Sequence, residues 1–322
     1  MAYTYARTLL WSSLIAGSSL MLAACGPSGE SDARTQTQLS IQGTRPDGTT
    51  ARNLLRAASD SGVDIPVYDN AGSPDGTLHL TTAWMVVKEV DLEMEGEGDD
   101  DVDGASDSND DSSHVEIEFV GPYVVDLLTS TTNPVLPSLL IEAGQYDDIE
   151  VEIEKLEPED LDSEGNPLID TYPELDRFTL YLEGTYTSQD GTHNAIPFKL
   201  QSELSEEFDL AGSDISNTIT LNTDQTVDLI VAFRMARWFR FDDIETNSDL
   251  DLTLQEAIVW NEAEQRHELF LSGDNRSDVM EVIEDNIEES GDFGEDDDDD
   301  GELGSDEDED DDDEWDDDED DQ

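Results

Sequence analysis

From Gly76 onward the chain alternates between apolar and polar residues. In "TLHLTTAWMVVKEVDLEME", Leu78, Leu80, Thr82, Trp84 and Val86 fall on one face and His79, Thr81 and Ala83 on the other, the period of a strand. The runs "HVEIEFVG", "YDDIEVEIEKLE", "RFTLYLEGTYTS", "AIPFKLQSEL", "NTITLNT" and "TVDLIVAF" read the same way. Several place Glu at every second position, so one face is wet and the other packs. Between them lies turn chemistry such as "QDGTHN", where Asp190 and Gly191 can supply the positive backbone angles of a tight hairpin. About seven or eight short strands of this kind predict a mainly β protein built as an antiparallel β-sandwich. Near the C-terminus the spacing becomes helical over 278–290, with Met280, Ile283 and Ile287 on one side. Asp278 is the expected N-cap, Glu281 follows three residues on, and Gly291 stands beyond the end. This short amphipathic helix is expected to pack on the sandwich.

Both chain ends depart from that pattern. "MAYTYAR" carries one positive charge, Arg7, and is followed by "TLLWSSLIAGSSLMLAA", uncharged and mostly apolar. That is the layout of an export signal, and the segment is short and Ser/Gly-rich for a permanent span of about 20 apolar residues. It runs into Leu22, Ala23, Ala24 and Cys25, the only cysteine of the 322 residues. A lone thiol closes no internal disulfide and builds no zinc cluster. These first 25 residues resemble the signal and lipobox of bacterial lipoproteins. The resemblance implies cleavage before Cys25, lipidation of that residue, and a membrane partner reached through lipid. Gly26, rather than Asp, follows the cysteine, which by the same resemblance points to the outer membrane. The polar stretch after Cys25 reads as a flexible tether. From Glu295 nearly every residue is acidic, and such a block buries too little apolar surface to offset its ordering entropy. The expected divisions are a signal peptide at 1–24, a tether at 25–40, a sandwich domain at 41–291 and a disordered polyacidic tail at 292–322.

Charge narrows the function classes. With 84 acidic and 14 basic residues the formal net charge is −70. Such a surface repels nucleic acid and anionic headgroups and gathers cations along its acidic segments. Only Lys88, Lys155 and Lys199 are lysines, a balance suited to a salty environment in which crowded carboxylates repel less. "LTTAWMVVKEVDLE", "VVDLL" at 124–128 and "LLIEAGQYDDIEVEIE" at 139–154 resemble the DUF4382 domain of bacterial lipoproteins over about 76–240. That resemblance implies a β-sandwich in an envelope protein and no established activity.

Calcium is the one cofactor the residues raise. Asp99, Asp101, Asp103, Gly104, Asp107 and Asp110 match D-x-D-x-D-G-x-x-D-x-x-D, a pattern resembling thrombospondin type 3 repeats. Alternating carboxylates point several oxygens at one hard cation, and the glycine permits the sharp turn. Asp296, Asp298, Asp300, Gly301, Leu303 and Glu307 occupy EF-hand positions, and "DLDSEG" offers Asp160, Asp162, Glu164 and Gly165. In so acidic a chain these spacings also arise as plain solvated charge. "AFRMARWFRF" interleaves Arg234, Arg237 and Arg240 with Phe233, Trp238, Phe239 and Phe241. It reads either as an arginine and aromatic platform for a sugar or an anion, or, in the favoured reading, as core aromatics with arginines paired to Asp242 and Asp243. His79, His114, His193 and His267 occur singly, with no nucleophile elbow and no phosphate loop, so each reads as a surface or hairpin residue. The reading is a non-enzymatic, lipid-anchored envelope protein with a structural or ligand-binding sandwich. The alternatives are a calcium-dependent binding or adhesion module, with a carbohydrate or protein ligand, and a secreted hydrolase.

Overall fold

The computed structural model describes residues 34–44, 62–94, 116–209, 219–223, 226–242, 252–272 and 277–295. Along the chain run β1 (Arg34–Thr44), β2 (Val63–Tyr68), β3 (Pro74–Met94), β4 (Glu116–Glu118), β5 (Tyr123–Asp126) and β6 (Thr131–Asn133). Then come β7 (Ser138–Glu142), β8 (Gln145–Ile153), the one-turn helix α1 (Leu168–Thr171), a 3-10 turn Pro173–Leu175, β9 (Leu180–Ser188) and β10 (Ile196–Ser202). The last third holds β11 (Glu206–Asp209), β12 (Ile219–Thr220), β13 (Thr226–Arg234), a 3-10 turn Leu254–Ala257, β14 (Ile258–Asn261), β15 (Arg266–Ser272), α2 (Ser277–Glu288) and β16 (Gly291–Glu295).

Among the described residues two sheets share one apolar core, and the protein is mainly β, as the alternation predicts. The smaller sheet has the order β16-β13-β1-β7, and the larger runs β11-β8-β3-β9-β10-β15-β14 with β2, β4, β5, β6 and β12 attached at its sides. The core joins Leu39, Ile41, Leu229 and Val231 of the small sheet to Leu78, Met85, Val151, Leu182 and Leu200 of the large one. Most pairs are antiparallel, but β1 runs parallel to β13, from Gln36 opposite Thr226 to Thr44 opposite Arg234, and β10 runs parallel to β15.

Two boundaries differ from the expectation. Residues 34–40, read as tether, belong to β1, which lies between β13 and β7. Their inward side chains begin with Thr35 and Thr37 rather than aliphatics, so the stretch looks polar although both are fully buried. Residues 292–295, read as the start of the tail, belong to β16: Phe293 is buried opposite Val231, and Asp292 binds Arg234 at 2.6 Å. The tail from 296 and the leader at 1–24 lie outside the described residues, as do 25–33 of the tether.

Strand β3 does not keep one face inward, contrary to the simple alternation. Leu78 and Leu80 are buried, but the register against β9 shifts between Leu80 and Thr82, and after that Ala83, Met85 and Val87 face the core. A second shift against β8, between Val87 and Glu89, brings Val90 and Leu92 inward. Each bulge adds one residue and exchanges the faces. Trp84 and Val86 therefore point away from the main core. They pack with Val124, Leu156, Leu168, Leu175, Tyr172 and Tyr181 in a second small core beneath α1 and the turn after it. Opposite the first bulge stands Gly184, where an added Cβ would lie 2.0 Å from the His79 carbonyl oxygen. Backbone cannot yield there, so Gly184→Ala is expected to cost about 2–3 kcal/mol by overpacking, measured as a lower urea midpoint at unchanged slope.

Helix α2 packs as its spacing predicts, burying Met280, Ile283 and Ile287 and also Val279 and Val282. Asp278 lies inside its first turn rather than at the N-cap. Asn286 donates to the carbonyls of Trp238 (3.3 Å) and Arg240 (2.8 Å), and the Ser202 hydroxyl donates to Glu284, tying the helix to β10.

Candidate functional site

The proposed lipid acceptor Cys25, the loop Asp99, Asp101, Asp103, Asp107 and Asp110, and the tail set Asp296, Asp298, Asp300 and Glu307 lie outside the described residues. One fact bears on the first loop: it joins β3 to β4, which pair antiparallel with Leu92 opposite Ile117. The loop is therefore the connection of a hairpin.

The third acidic loop is described, and two of its three carboxylates, Asp160 and Asp162, are already engaged. Asp160 accepts from Lys88 Nζ at 2.9 Å and from the Glu157 amide at 2.7 Å. Asp162 accepts from the amides of Glu164 and Asn166 and from the Asn166 side chain. Those bonds to Asn166 hold its carboxyl below the ordinary range, and Gly165 turns the chain at φ +84°. Asp160 is thus an ion-pair partner and Asp162 the centre of an Asx turn. Among the described residues, no three of His, Cys, Asp or Glu are grouped to hold a metal ion.

The arginine and aromatic stretch follows its favoured reading. Phe233, Trp238, Phe239 and Phe241 are buried, with Phe239 edge-on to Phe198 and Phe233 edge-on to Phe208. Trp238 Nε1 donates to Ser290 Oγ at 2.7 Å. Arg234 pairs with Asp292, and Arg240 grips Asp242 through Nε and Nη2 while lying over the Tyr68 ring. The Arg240 hydrogen bonds hold Asp242 below the usual carboxylate range. Asp243 lies outside the described residues.

What the structure gathers, and the sequence does not announce, is a group of aromatic rings at the β14 edge. Trp260 of β14 stands directly opposite His267 of β15, with ring centres 5.1 Å apart. His267 in turn meets His193, beyond the β9 hairpin turn, at 5.0 Å and 75°. Trp260 remains 46% exposed and its neighbour Val259 41%, on a strand that among the described residues pairs only with β15. Two turns fix this geometry. Gly191 takes φ +74°, while Asp190 contributes through its side chain rather than its backbone angle, accepting from Thr192 N, Thr192 Oγ1 and Ser188 Oγ. These bonds hold the Asp190 carboxyl down at about 2. Asn261 Oδ1 accepts from the amides of Ala263 and Glu264 and turns the β14–β15 hairpin. His79 differs from the other pair, because its Nδ1 is taken by Asp64 at 2.7 Å. Among the described residues neither the His193 nor the His267 ring has a hydrogen-bond partner. The grouping depends on β10 lying parallel to β15, a pairing of distant segments that no local pattern carries.

Buried phenols give an alkaline signature. Burial, with Glu142 nearby, pushes Tyr146 up to about 12, and burial with acidic partners also raises Tyr181 and Tyr186. A raised folded pKa stabilises the native state fully below the unfolded value of about 10, and that contribution is lost as pH rises through the folded value. Phenolate absorbance should therefore rise in two phases, the second coinciding with loss of the β signal in circular dichroism. A single phase completed in the folded protein would contradict these burials.

No family model matches the chain, and neither the curated proteins nor the solved structures include a significant match, so the resemblances to known families stand on their own residues.

Proposed function

We propose that this chain is a lipid-anchored, non-enzymatic protein of the bacterial cell envelope, held at the outer membrane through Cys25, with a structural or ligand-binding β-sandwich. The observation that carries the reading is the order of its first 25 residues: one positive charge, an uncharged apolar run, small residues, then the only cysteine. Each buried methylene contributes about 0.8 kcal/mol, so two or three acyl chains hold durably where one holds reversibly. Eight residues lie between Cys25 and Arg34, the first residue of β1, so the anchor and the strand are joined by at most about 30 Å of extended chain. Labelled fatty acid fed to the native cell should enter the wild type and not Cys25→Ala, with the labelled product in the outer-membrane fraction. Equal labelling of both chains, or of neither, would overturn the reading.

A second reading is favoured by the hairpin connection. An ion held by Asp99, Asp101, Asp103, Asp107 and Asp110 would join the ends of β3 and β4 and make the module calcium-dependent. Ligand that binds only the native state raises its stability by mass action. Millimolar calcium at fixed ionic strength should then raise the melting temperature, and Asp101→Ala with Asp103→Ala should remove the rise. An unmoved melting temperature counts against the calcium reading alone.

A further inference from the structure

We infer that His193 and His267 form a clip for one borderline divalent transition-metal ion, of the zinc, nickel or copper class, at the open edge of the large sheet. The inference does not depend on lipidation or on the acidic calcium loops.

Three observations carry it. The first is spacing. An ion bound to imidazole nitrogen at about 2.0–2.1 Å lies roughly 3.2 Å from the ring centre, so two imidazoles on one tetrahedral ion have centres about 5.2 Å apart. The centres of His193 and His267 are 5.0 Å apart. Turning an imidazole about its Cβ–Cγ bond moves the nitrogens and leaves the ring centre almost in place, and that torsion is soft. The separation is therefore set by the backbone and χ1 rather than by the soft ring torsion, and it already matches. The second is availability. Neither ring is committed to a hydrogen bond among the described residues, in contrast to His79 with its Asp64 partner. The third is the local field. Asp190 lies at the hairpin turn leading to His193, where its carboxylate accepts from Ser188 Oγ and from Thr192 N and Oγ1, and a carboxylate so placed favours a cation over an anion.

The donor type sets the ion class. Imidazole suits zinc, copper and nickel, whereas the carboxylates that crowd the rest of this surface suit calcium and magnesium. Two protein ligands leave the remaining coordination positions to water or to a donor from a partner. Trp260, 5.1 Å from His267, is a built-in reporter, because a paramagnetic ion on that imidazole quenches an adjacent indole.

The test uses the full chain carrying Cys25→Ala, so that no thiol competes, in molar NaCl with millimolar Mg2+ to occupy the carboxylates. Ni2+ titrated against tryptophan emission should give a saturable quench with one ion per chain. Trp260→Phe should abolish most of the quench while calorimetry still registers the ion. His193→Ala and His267→Ala should each weaken binding at least tenfold, and His79→Ala should leave it unchanged. A quench that does not saturate, or that both alanine variants retain, overturns the site and assigns the binding to carboxylates. A variant that loses its circular dichroism is replaced by a measurement on the parent chain. There, substoichiometric Ni2+ should broaden the imidazole resonances of His193 and His267 before those of His79, and uniform broadening overturns the site equally.

Discussion

Trp238→Ala should lower the unfolding free energy by about 3–5 kcal/mol, the cost of emptying a fully packed aromatic site. The indole has no exposed surface, its Nε1–H is spent on Ser290, and its own carbonyl accepts from Asn286 of α2. Deletion thus opens a cavity where the segment from the end of β13 to Arg240, which bridges to Tyr68, lies beneath the helix. Ser290 Oγ, itself donating to the Ile287 carbonyl, would lose its indole donor. Trp238→Phe keeps most of the volume and should cost less than half as much. Arg237→Ala removes an exposed guanidinium with one long bond to the Glu289 carbonyl, and should change stability by less than about 0.5 kcal/mol. Urea unfolding of the three variants decides between core and ligand platform. Comparable small effects at Trp238 and Arg237 would restore the platform.

Lys88→Ala should cost about 3 kcal/mol or more, because it strands a partly desolvated carboxylate. The Lys88 and Asp160 side chains are only 14% and 11% exposed and meet at 2.9 Å. The pair fastens the bulged middle of β3 to the segment that leads into α1 and covers Trp84. In a chain of net charge −70, an unpaired Asp160 also meets a repelling field. Breaking one partner is expensive where replacing both with apolar groups is often neutral, so the pair Lys88→Met with Asp160→Leu should recover much of the loss. Thermal melts of the single and double variants, at low and at molar salt, measure this. A single variant as stable as the wild type would show the pair to be open to water.

Much of this architecture can be read from side-chain alternation, and the failures have physical causes. The strands from β8 to β10 and the apolar face of α2 carry their burial in their own sequence. Thr35 and Thr37 do not, because threonine fills these fully buried positions of β1, and the polarity mimics a linker. Asp292 is neutralised by an arginine 58 residues away, so the first residues of an acidic tail become an edge strand. The first exchange of faces in β3 falls opposite Gly184 of the partner strand β9, and the second falls against β8, so neither is written in β3 alone. The clustering of His193, Trp260 and His267 follows from strand order, and four scattered histidines give no hint of it. The pairing of Arg240, by contrast, is legible, since Asp242 lies two residues away.

The central claim is the acylated N-terminus, and intact-mass analysis of protein from its native cell tests it most directly. The account predicts a chain that begins at Cys25, heavier than its residues by a glyceride and its fatty acids, and resistant to thiol alkylation. A chain that begins at Met1, or one whose cysteine alkylates freely, would contradict it.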